Sequence, residues 1–79
     1  MKDLNFFIVR FVEMMHEIDA CFDYSSLTAE TNFEDIEGWS SLAAVFMVTM
    51  IDEEFSKEIS TEQIKSANNL KDIYNIICN

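Results

Sequence analysis

Residues 41–55, Ser-Leu-Ala-Ala-Val-Phe-Met-Val-Thr-Met-Ile-Asp-Glu-Glu-Phe, constrain the fold more than any other stretch of the chain. They contain no glycine or proline, and at about 100° per residue Ala44, Met47, Val48, Ile51 and Phe55 gather on one side of a helix. That side is the expected core face. The opposite side is also apolar, with Leu42, Val45, Phe46, Thr49 and Met50, and turns acidic only at Asp52 and Glu53. A helix that is apolar nearly all round is either enclosed or carries a second apolar surface with a task. A chain of 79 residues has too little interior to enclose it completely. The expectation is therefore one buried face and one interaction face, with methionine serving mainly as core filler.

The entry to this helix is equally specific. The only glycine, Gly38, lies beside the only tryptophan, Trp39, and two serines follow. Ser40 suits the N-cap, where its hydroxyl oxygen accepts a hydrogen bond from a first-turn N–H. Ser41 then occupies the first helical position with its hydroxyl pointing outward. The spare N–H donors and the dipole of a helix start also favour a phosphate attached there. Two serines before a helix are more often capping residues alone, so spacing by itself favours that plainer reading.

The rest of the chain frames that helix. Residues 3–17 form an expected first helix with Asp3 as N-cap and Leu4, Phe7, Ile8, Phe11, Met15 and Ile18 on its apolar stripe. Arg10, Glu13 and Glu17 lie opposite, Phe6 and Val9 fall near the polar side, and His16, the only histidine, is expected in solvent near the helix end. Over residues 19–40 the periodicity disappears. Turn-forming Ser25, Ser26, Thr28, Thr31 and Asn32 alternate with the apolar anchors Phe22, Leu27, Phe33 and Ile36, which reads as an ordered crossing that delivers Ser41 to its helix. Glu34, Asp35 and Glu37 lack the oxygen-ligand register of a calcium loop and read as a solvated acidic stretch. Residues 58–66 form a short helix with Ser60 and Gln63 as capping box and Ile59 and Ile64 as hydrophobic staple. Residues 70–77 form the last, with Asn69 as cap, Asp72 in its first turn, and Leu70, Ile73, Tyr74 and Ile77 on one stripe. A few residues at each terminus are expected to fray.

Composition bounds the function. Fifteen acidic against five basic residues give a formal net charge of −10, a surface that repels nucleic acid and anionic membranes and attracts basic protein patches. Cys21 and Cys78 lack metal-ligand spacing and are expected as unpaired thiols in a reducing cytosol. The run Phe6-Phe7-Ile8-Val9 is too short for a signal peptide or a membrane span, so a cytoplasmic location is expected. No paired base, metal cluster or phosphate-binding glycine loop points to an enzyme. The residues predict one all-α domain over 1–79, with four helices, a long first loop and a short third helix.

The ordered set Gly38-Trp39-Ser40-Ser41-Leu42, then Ile51-Asp52-Glu53-Glu54-Phe55 and Glu58-Ile59-Ser60, resembles the acyl carrier protein family. The likeness extends from about Leu27 to Ile77 and is looser over the first helix. It implies a four-helix bundle of acyl-carrier type, with 4′-phosphopantetheine esterified to Ser41 and an acyl, aminoacyl or peptidyl group held on the arm as a thioester. It also implies weak, brief contacts of a monomer with a phosphopantetheinyl transferase and with acyl-loading and acyl-transferring enzymes that carry basic docking patches. Leu42, Val45, Phe46, Thr49, Asp52 and Glu53 would form the docking face. Two positions depart from the pattern. Ser40 stands where the family has aspartate, and Phe46 stands where many relatives have an acid, which implies more apolar contact with partners. The alternative is a protein of the same fold that is never modified and binds basic partners through its acidic and apolar surface.

Overall fold

A computed structural model describes residues 3–78; residues 1, 2 and 79, within the predicted frayed ends, lie outside the described residues. The described chain is all-α, with helices α1 (Leu4–Ile18), α2 (Ser41–Phe55), α3 (Thr61–Ser66) and α4 (Leu70–Cys78). A 3-10 turn, Phe33–Asp35, interrupts the long first loop. No strand occurs among the described residues, only an isolated antiparallel bridge between Asn32 and Asn69.

The expected starts of α1 and α4 are found where their capping residues stand. Asp3 accepts from the Phe6 N–H at 2.9 Å, and Asn69 Oδ1 accepts from the Asp72 N–H at 2.9 Å. The capping box of α3 is complete, since Gln63 N–H donates to Ser60 Oγ at 3.1 Å and Ser60 N–H to Gln63 Oε1 at 2.9 Å. That box corrects the expected start of α3. Residues 58 and 59 lie outside the helix because Ser60 is itself the cap, so the helix begins at Thr61.

α1 and α2 pack antiparallel. Phe6 and Phe7 meet Phe55 edge-on near one end, and Met14 lies beside Phe46 and Met50 towards the other. Between them Arg10 donates to Glu54 across the helices at 3.0 Å and to Glu13 on its own helix at 2.7 Å. The hydrogen bond to Glu13, then the charges of Glu54 and Glu13, outweigh partial burial and raise the Arg10 pKa. The core they enclose centres on Phe7, Phe11, Met15, Met47, Ile51, Ile64, Leu70 and Ile73.

Several burial assignments differ from the sequence reading. The buried set of α2 is Ala43, Ala44, Met47, Met50 and Ile51, whereas Val48 and Phe55 are only half-buried. The core face is thus rotated by about half of one residue's 100° step towards Met50, because α1 packs over that flank. Met14 of α1, not on the predicted stripe, is buried in the same flank. His16 is half-buried, not free in solvent. The loop folds back over it, so that Nε2 lies 3.0 Å from the Phe22 carbonyl and the ring meets Phe22 and Tyr24 edge-on.

The loop anchors behave as expected: Phe22, Phe33 and Ile36 are buried and Leu27 is half-buried. Its second half is tied to the other end of the chain. Phe33 N–H donates to the Asn68 carbonyl and Lys71 N–H to the Ala29 carbonyl, each at 3.0 Å. Gly38 turns the chain with φ +88°, a left-handed value that favours glycine. This turn sets the direction in which residues 39 and 40 run into α2.

Candidate functional site around the start of α2

The approach to α2 is held by aromatic packing. Trp39 stacks on Phe33 with ring centroids 4.5 Å apart and a 20° interplanar angle, and its other neighbour is Phe11 at 6.0 Å. Phe33 is in turn fixed by the main-chain bond to Asn68. Thus the first loop, α1 and the α3–α4 joint together determine where residues 40 and 41 lie.

At this point the two serines separate in role. Ser40 has extended backbone and its Oγ accepts from the Ala43 N–H at 3.4 Å, a long bond, while its carbonyl accepts from Ala44 at 3.0 Å. Ser40 is therefore the N-cap. Ser41 is the first residue of the helix and is exposed. Among the described residues nothing accepts from the N–H groups of Ser41 and Leu42, the usual state of a helix start open to water or to an anion. The predicted hydroxyl is thus presented beside two spare donors.

The six residues expected to form an interaction face all reach solvent. Leu42 and Val45 are 54% and 50% exposed, and Phe46 is 38% exposed. Thr49, Asp52 and Glu53 are exposed as well, with Thr49 Oγ1 turned back towards the Val45 carbonyl at 3.5 Å. Leu42, Val45, Thr49 and Asp52 form one row at helical spacing, and Phe46 and Glu53 a second beside it. Met50, placed on this side by its position in the sequence, is 4% exposed and belongs to the core. Phe46 and Met50 both line a groove between α1 and α2, together with Met14, Glu17 and Glu53.

Sequence reasoning missed a second feature near Ser41. Asn32, Trp39, Lys65 and Asn68 line a cleft between the first loop and the α3–α4 joint. The bridge from Asn32 to Asn69 forms across a gap of more than thirty residues, and no local pattern signals it. Both cysteines are exposed and unpaired. Among the described residues no helix is long and apolar enough to cross a membrane. In comparisons with known proteins, the chain matches no family model, no curated protein and no solved structure.

Proposed function

We propose that this chain is a carrier protein of the acyl-carrier type, with 4′-phosphopantetheine attached to Ser41. The observation that carries the reading is the division of labour at the start of α2. Ser40 satisfies the helix start, which leaves the Ser41 hydroxyl exposed and uncommitted beside spare N–H donors. A residue that only capped the helix would sit where Ser40 sits. The resemblance of residues 38–42, 51–55 and 58–60 to carrier proteins, and the four-helix framework with its long first loop, support the same reading.

In the loading step Ser41 Oγ attacks the pantetheine-bearing phosphorus of coenzyme A. A new P–O bond forms, the pyrophosphate P–O bond breaks, 3′,5′-adenosine bisphosphate leaves, and the hydroxyl proton passes to a base on the transferase. The spare N–H groups of α2 and its dipole favour the phosphodiester that results. The arm's thiol then holds an acyl, aminoacyl or peptidyl group as a thioester, and partner enzymes perform the chemistry. The carrier itself contributes a docking face, made of Leu42, Val45, Phe46 and Thr49 with Asp52 and Glu53 at its edge. The net charge of −10 favours partners with basic patches and speeds their approach.

Intact-mass analysis after incubation with a broad-specificity phosphopantetheinyl transferase and coenzyme A tests this directly. The protein should gain one phosphopantetheinyl group. Ser41→Ala should abolish the gain, and Ser40→Ala should retain at least part of it. If Ser40→Ala alone blocks labelling, the attachment point is misplaced. A wild-type chain that is never labelled is instead an unmodified interaction module.

A further inference from the structure

We infer that the cleft beside Trp39 is a resting site for the arm on Ser41, an inference that builds on the carrier reading. The cleft, of about 590 Å³, opens between the first loop and the α3–α4 joint. It is lined by Asn32, Phe33, Glu34, Trp39, Lys65 and Asn68. Trp39 precedes Ser41 by two residues, and two residues span at most about 7 Å of extended chain. The wall of the cleft therefore begins next to the attachment point.

Its chemistry fits a pantetheine chain, which has two amides, a hydroxyl and a gem-dimethyl group. Among the described residues the carboxamides of Asn32 and Asn68 and the indole N–H have no hydrogen-bond partner within the protein. They can therefore exchange water for the amides of the arm without breaking an internal bond. The stacked Trp39–Phe33 pair offers an apolar surface for the gem-dimethyl group. Glu34 can accept from the arm's N–H or O–H groups, and Lys65 offers positive charge to a ligand that carries a phosphodiester. The depression on the other flank of α2, lined by Val48, Thr49, Asp52, Glu58 and Ile59, contains two acids and no cation. An anionic tether is less suited to it. The walls of the cleft are also fixed, because the bonds from Phe33 to Asn68 and from Lys71 to Ala29 hold the loop against the joint.

The test compares the full-length protein before and after transfer of phosphopantetheine from coenzyme A, with ¹⁵N labelling and intact mass as a loading control. On loading, the Trp39 indole N–H and the Asn32 and Asn68 carboxamides should shift, and the gem-dimethyl protons should give nuclear Overhauser effects to the indole ring. Trp39 is the only tryptophan, so this ring is an unambiguous reporter. Asn68→Ala and Lys65→Ala alter exposed side chains and should weaken those effects while full loading is retained. A loaded protein with no contact between arm and indole overturns the resting site and leaves the carrier reading intact. If no mass is gained, both fall.

Discussion

At the scale of single residues, the most unusual backbone in the helical part of the chain is that of Ser56. It closes α2 with φ 54° and ψ 38°, its N–H bonded to the Asp52 carbonyl at 3.1 Å. A left-handed conformation costs an ordinary L-residue roughly 1–2 kcal/mol, against the 0.5–1 kcal/mol of chain entropy that glycine loses on folding. Ser56→Gly should therefore stabilise the protein by about 0.5–1 kcal/mol in urea melts, without changing any contact in the core. The capping residues were legible one by one. Asp3, Ser40, Ser60 and Asn69 each stand where their local pattern places them. His16 was not, since its burial depends on a loop that returns from outside its own helix.

At the scale of elements, α2 has a buried and an exposed face, and substitution can separate them. Met47 and Ile51 are fully buried, so alanine at either should cost about 2–5 kcal/mol. Val45→Ala and Thr49→Ala act on the exposed row and should cost about 0.5 kcal/mol or less. Equal losses on both faces would mean that α2 is enclosed in solution and has no surface to offer. The existence of the helix and the division into faces were legible because they depend on composition along one segment. The rotation of the core face towards Met50 was not, because it depends on where α1 crosses, and periodicity within α2 contains no record of α1.

At the scale of the whole molecule, charge and apolar contact should have separable effects on partners. If Phe46 fills a pocket on an enzyme that loads the arm, Phe46→Glu should weaken binding by roughly 2 kcal/mol or more, mainly through faster dissociation. Asp52→Lys with Glu53→Lys should instead slow association and reduce its dependence on salt. Surface plasmon resonance at two salt concentrations distinguishes the two. Phe46→Glu bound as tightly as wild type would show that the ring belongs to the α1–α2 groove and not to an interface.

The clasp between the first loop and α4 has a further consequence, for the way the native state opens. Residues 19–27 are held mainly by bonds to near neighbours, such as Cys21 to Asp19, Ser25 to Asp23 and Leu27 to Tyr24. Ala29 and Phe33 are bonded instead to Lys71 of α4 and to Asn68 in the α3–α4 joint. The loop is thus two mechanical parts. In native-state hydrogen exchange the amides of Phe33 and Lys71 should be protected to a similar depth and respond together to denaturant, while those of Cys21 and Ser25 exchange through shallow local fluctuations. Limited proteolysis should then cut within residues 19–27, upstream of the clasp, and leave the surroundings of Ser41 in place.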